Sequence, residues 1–265
     1  MLPNLPQFAV TMAAILRAGY TCVNVNPLYT ARELEHQLKD SGATAIVILE
    51  NFASTLQEVI QHSAIQHVVL ASIGDLLGTW YGRWMTFAVR HLAKLVPEFE
   101  LPLDDGRTVT SFKKAIAQGR HQTLKAVPQT LDDIAFLQYT GGTTGLSKGA
   151  VLTHRNIIAA VLQADAWFSP ALQRIGDVSK TNSIAALPLY HIFALTLCLL
   201  GAMVSAHAGG TATVVCSKSA NPVPLLQVAY NTGPDAGTPG LFWFGVISQD
   251  MTLGSVLTPK GWQTY

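Results

Sequence analysis

The densest chemistry in the sequence lies in one short run: Thr140, Gly141, Gly142, Thr143, Thr144, Gly145, Ser147 and Lys148, placed after the apolar stretch 134–139 and before Gly149. Glycines accept positive φ and carry no Cβ, so backbone N–H groups in such a run can converge on an anion. The threonine and serine hydroxyls add donors, and Lys148 adds a point charge of the kind that suits a polyphosphate. The run therefore predicts a cradle for the phosphates of a nucleotide; the plainer alternative is a Gly/Thr surface loop. It is not a Walker A loop. Ser147 stands where that motif needs glycine, and Gly149 stands where it needs the magnesium-binding hydroxyl.

Read with its neighbours, the run Tyr139-Thr140-Gly141-Gly142-Thr143-Thr144-Gly145-Leu146-Ser147-Lys148-Gly149-Ala150, followed by Leu152-Thr153-His154-Arg155-Asn156, resembles the signature of adenylate-forming enzymes, and in particular of bacterial long-chain fatty-acid–CoA ligases. Two other stretches are similar to the same family. One is Asn24-Val25-Asn26-Pro27-Leu28-Tyr29-Thr30 through Glu33-Leu34-Glu35-His36-Gln37-Leu38. The other is Ala186-Leu187-Pro188-Leu189-Tyr190-His191-Ile192-Phe193. The likeness covers roughly residues 1–200.

Composition sets the outer limits. Charged residues make up 12% of the 265 residues, against about 25% in ordinary soluble domains, so the chain is unusually apolar. A net charge of +1 provides no basic field and argues against nucleic acid as a partner. Cys22, Cys198 and Cys216 lack metal or redox spacing and sit among apolar residues, which suits reduced thiols and a cytoplasmic setting.

The elements that must position the run follow from local signals. Residues 1–17 lack a secretory cleavage site and read as a buried helix stopped by Gly19. Residues 21–25 read as a strand. Thr30 and Glu33 form a capping box for a helix that Ser41-Gly42 ends, and residues 43–49 form a strand covered on both faces. A second box, Ser54 to Gln57, precedes a strand at 67–71. This alternation predicts an α/β fold of mostly parallel sheets flanked by helices. Residues 73–130 read as a less regular insertion. Within it, helical spacing over 80–95 groups Trp80, Trp84, Phe87, Ala88, Leu92 and Leu95 beside Arg83, Arg90 and Lys94. That pattern suits either a membrane interface or a helix packed on the domain with its bases in water. Thr153 is placed to cap a helix bearing Ile157, Val161, Ala164 and Trp167 or Phe168. The next strand reads as 183–189. Residues 181–217 contain no Asp, Glu, Lys or Arg, which fits a membrane span or a buried strand followed by a buried helix.

The resemblance implies a reaction. A fatty-acid carboxylate attacks the α-phosphate of ATP to give acyl-adenylate and pyrophosphate, and the CoA thiol then displaces AMP. It implies the large N-terminal domain of the adenylate-forming fold, with ATP, magnesium and coenzyme A as co-substrates and with residues 140–148 on the β- and γ-phosphates. It places His191 near the acyl carboxylate and adenylate; the alternative is a hydrogen-bonded core histidine. His154 and Arg155 read as fixing the start of their helix. No metal ligand is identified. Other readings are a ligase for shorter or aromatic acids, or a non-catalytic membrane-associated remnant. The sequence also departs from the family. No Glu follows Glu100, so the family's Tyr-Gly-x-Thr-Glu motif is missing, and Thr232-Gly233-Pro234-Asp235 has the wrong spacing for its ribose-binding motif. The expectation is a partial adenylation domain over 1–200, an atypical tail over 201–265, and no small C-terminal domain. Peripheral attachment to the inner face of the membrane is a further expectation.

Overall fold

The computed structural model describes residues 1–102, 106–140, 147–175 and 182–205, with the strand segments 211–215, 224–229, 245–246, 255–258 and 261–264. They divide into two units, Met1–Thr153 and His154–Tyr265.

In the first unit, helix α1 (Pro6–Arg17) starts with proline, whose missing N–H costs nothing in a first turn. The chain leaves it through Gly19 at φ 79°. Strand β1 (Cys22–Asn24) follows, then α2 (Ala31–Ser41). The predicted capping box is present: the Thr30 hydroxyl accepts from the Glu33 amide, and the Glu33 carboxylate accepts from Thr30 N at 2.8 Å. Gly42 at φ 61° ends the helix in a left-handed turn that other residues enter at a cost. Strands β2 (Ala45–Leu49), β3 (His67–Ala71) and β4 (Thr108–Ser111) make a parallel sheet with β3 central. Leu34 and Leu38 of α2 pack with Ile46, Ile48, Leu56, Ile60 and Val68 in one apolar core.

Three expectations need correction. Helix α3 (Ala53–Val59) has Phe52 at its start and no side-chain cap, so Ser54 lies inside it. Gln57 instead accepts from the Glu100 amide at 2.8 Å. The stretch 73–130 is more regular than its composition suggests, because it holds β4 and helix α5 (Phe112–Gly119), capped by Ser111. Helix α4 (Trp80–Phe87) runs into a π-helical turn, Ala88–Leu92, and presents the side opposite to that of a packed amphipathic helix. Val89 and Gly82 face inward, while Trp80 is 86% and Trp84 60% exposed. Glycine is required at 82, since a Cβ there would lie 2.1 Å from the Gly74 carbonyl oxygen.

The second sheet of this unit positions the glycine run. Strand β5 (Ile134–Thr140) lies parallel to β1, with Asn24 beside Gln138, and antiparallel to β6 (Lys148–Thr153).

In the second unit, α6 (His154–Ile175) begins after Thr153 as predicted, burying Ile157 and Val161 but leaving Trp167 exposed. Strand β7 (Asn182–Ile184) is shorter than expected. A π-helical segment, Ala194–Gly201, continues into α7 (Ala202–Ser205), and both pack on α6. Strands β8 (Thr211–Val215), β9 (Pro224–Ala229), β10 (Gly245–Val246), β11 (Ser255–Thr258) and β12 (Gly261–Thr264) extend β7 into one sheet. Among the described residues no helix is long and apolar enough to cross a membrane. Leu195 and Leu199 of the uncharged stretch are buried, so its described part follows the strand-and-buried-helix reading.

Candidate active site

Residues 141–146, and with them Gly141, Gly142, Thr143, Thr144 and Gly145, lie outside the described residues; their two anchors do not. Thr140 ends β5 and pairs in register with Lys148, which opens β6, so both stand at the mouth of the connection. Lys148 is exposed, and among the described residues no ion pair occupies it. This mouth is also the carboxyl end of the parallel pair β1–β5, where open α/β sheets present ligand-binding groups.

Helix α2 reaches both limbs of the hairpin. His36 Nε2 lies 2.8 Å from the carbonyl oxygen of Ser147. A carbonyl only accepts, so Nε2 carries the hydrogen and donates it. One turn further along, Asp40 Oδ2 accepts from the Tyr139 hydroxyl at 2.5 Å. Burial first, and then the Asp40 carboxylate, push the Tyr139 phenol well above its ordinary range, so it remains a donor. Beneath these contacts, Gln37 Nε2 donates to the Asn24 carbonyl at 2.9 Å, and Asn24 Nδ2 donates to Gln138 Oε1 at 3.1 Å. All three side chains are buried, and the links join α2, β1 and β5. His36 and Asp40 were not among the expected site residues; their one signal is a four-residue spacing that puts them on one face of α2.

His191 belongs to the second unit and does not end a strand. The chain leaves β7 before Pro188, which has no N–H to give a sheet. His191 is exposed and starts the following helical stretch: its Nδ1 accepts from the Phe193 amide at 3.3 Å, and its carbonyl accepts from Leu195 N at 3.0 Å. The core-histidine alternative therefore fails, and the exposed ring caps the start of this helical stretch. His154 opens α6, in keeping with a role at the start of that helix.

A mostly apolar cavity of about 650 Å³ is bordered by α1, β1 and β2, with Phe8, Met12, Val25 and Ile46 in its wall, and it also touches Asn24 and Leu137. Cys22 borders it, its thiol pushed up to about 12 by burial and so held protonated, as expected of an inert core cysteine.

Parallel sheets flanked by helices, with a glycine-rich sequence ending in lysine between two strands, agree with the N-terminal fold of adenylate-forming enzymes. The chain belongs to the family described as AMP-binding enzyme, which it matches over residues 1–234. Within it, the chain is 50% identical over 201 residues to a long-chain-fatty-acid–CoA ligase of Escherichia coli O157:H7, covering 76% of this chain and 34% of that protein. It is 31% identical to a 4-coumarate–CoA ligase of Oryza sativa subsp. japonica over 204 residues, 77% of this chain and 32% of that protein. Among solved structures, a long-chain-fatty-acid–CoA ligase from Archaeoglobus fulgidus superposes with a TM-score of 0.51 at 26% identity, covering 81% of this chain and 34% of that one. The chain thus spans about a third of the length of the curated relatives it matches.

Proposed function

We propose that this chain supplies the phosphate loop of an ATP-dependent ligase that converts a long-chain fatty acid to its acyl-adenylate and then to acyl-CoA. The observation that carries the reading is the pairing of Thr140 with an exposed Lys148 at the carboxyl end of parallel strands. Adenylation asks little covalent chemistry of the protein; positioning and neutralisation of phosphate charge dominate. Thr140, Ser147 and Lys148, together with 141–146, hold the β- and γ-phosphates as they leave. The nucleotide arrives as its magnesium complex, and the ion is carried on the phosphates. The family resemblance assigns His191 to the acyl side. Preference for a long chain rests on the 50% identity to a long-chain-fatty-acid–CoA ligase. Residues 1–200 are then part of an adenylation domain. The 265-residue chain alone is expected to bind MgATP without completing ligation, because no Glu follows Glu100 to serve the adenine side.

Limited proteolysis of the chain with and without MgATP tests the reading. Protection that vanishes in Lys148→Ala supports it; no protection in the parent chain rejects it.

A second reading concerns location. The exposed aromatic side of α4, with Phe87, Leu92 and Leu95 also exposed and Arg83 and Lys94 beside them, supports peripheral docking on an anionic bilayer face in the cytoplasm.

A further inference from the structure

We infer that helix α2 is a clamp on the phosphate loop, with His36 and Asp40 as positioning residues that hold the two limbs of the β5–β6 hairpin at fixed separation. The inference rests on the phosphate reading of 140–148 and names the residues that make that site rigid.

Three observations converge. First, His36 and Asp40 are four residues apart and so share one face of α2, yet they hold opposite limbs: Ser147, next to Lys148, and Tyr139, next to Thr140. Second, both contacts fall within two residues of 141–146, one beside Lys148 and one beside Thr140, so a displaced limb carries its anchor residue with it. Third, α2 is itself immobilised. Its start carries a full capping box, Leu34 and Leu38 are buried in the core, and Gln37 ties it through Asn24 to Gln138 of β5. A helix so fixed transmits the geometry of the core to the loop mouth. Neither His36 nor Asp40 reaches a phosphate in this account. They act through the Ser147 carbonyl and the Tyr139 hydroxyl, and preorganised donors gain their effect from such support.

The test uses the 265-residue chain and the variants His36→Ala, His36→Gln and Tyr139→Phe, with Lys148→Ala as reference. Two readouts are taken: amide hydrogen exchange of peptides covering 138–140 and 147–150 without nucleotide, and the MgATP concentration giving half-maximal protection. The clamp predicts faster exchange at both limbs in His36→Ala and Tyr139→Phe. It also predicts about three- to tenfold weaker MgATP binding, as expected for one lost hydrogen bond, with little change in the thermal midpoint. Gln places an amide donor near the former Nε2, so His36→Gln should recover most of both effects. Parent-like exchange and affinity in His36→Ala overturns the clamp while the phosphate reading stands. So does a Gln variant no better than Ala. If the parent chain itself shows no MgATP protection, the phosphate reading fails, and the clamp falls with it.

Discussion

Gly149 stands directly opposite Tyr139 across the hairpin, and a Cβ at 149 would lie 3.0 Å from Tyr139 Cζ. The phenol ring takes the room that the missing side chain leaves, and this keeps its hydroxyl within reach of Asp40. Gly149→Ala should therefore destabilise the first unit by about 1–3 kcal/mol, the usual cost of overpacking. Urea denaturation should show a lower midpoint, and the cost of Gly149→Ala should shrink when it is measured in a Tyr139→Ala background.

Lys148 is the charge nearest to the departing pyrophosphate in the proposed reaction. In a full-length ligase carrying this segment, Lys148→Ala should slow adenylation by about 2–4 kcal/mol in the transition state, by analogy with removal of an oxyanion donor. The ATP–pyrophosphate exchange rate measures it, and the thermal midpoint should stay close to that of the parent. Exchange at the parent rate would remove the loop from the mechanism.

Arg90 leaves the basic cluster predicted for the aromatic helix and is recruited to the fold. Its guanidinium donates to Glu50 Oε2 through Nε at 2.8 Å and also through Nη2, while Glu50 is only 3% exposed. Removing one partner leaves a buried carboxylate unpaired. With Arg90 still half exposed, Arg90→Ala should cost about 2–4 kcal/mol. Glu50→Gln should cost less, and a double variant should cost less than the sum, which a double-mutant cycle on denaturation midpoints will show.

The exposed tryptophans of α4 predict flotation of the chain with vesicles containing anionic lipid, reduced several-fold in Trp80→Ser/Trp84→Ser. High salt or alkaline washing should release the bound protein. Retention until detergent is added would contradict peripheral docking.

The capping box predicts a pH dependence. The Thr30 backbone and side chain hold the Glu33 carboxyl below its ordinary value of 4.5. A depressed folded-state pKa gives stability that is complete above 4.5 and disappears as pH falls through the folded value. Thr30→Ala should cost about 1 kcal/mol at neutral pH. That difference should narrow in denaturation curves taken at progressively lower pH.

What could be read from the sequence was local. Thr30, Glu33 and Gly42 announce their helix because each acts on backbone groups a few residues away, and residues 43–49 announce a strand by continuous β-branched and apolar character. Strand β6 escapes because Lys148-Gly149-Ala150 has no strand propensity; its hydrogen bonds are supplied by β5. Strand β4 escapes because its Thr-Val-Thr-Ser is short and polar. His36 has a role only through Ser147, 111 residues away, and no local pattern carries that information. His191 reads from the sequence as the end of a strand, yet β7 stops at Ile184 and His191 opens the next helical stretch.

The course of the chain from Lys148 through β6 into α6 has an electrostatic consequence for the proposed phosphate site. A Walker-type loop leads straight into a helix, whose aligned peptide dipoles place partial positive charge on the bound phosphate. Here the six residues of β6 separate the connection from α6. On the proposed reading, α6 does not follow directly on the connection, so the charge of Lys148 carries a larger share of anion neutralisation. Affinity for nucleotide in this arrangement should respond more steeply to ionic strength, and to loss of one side-chain charge, than it does where a helix end shares the load.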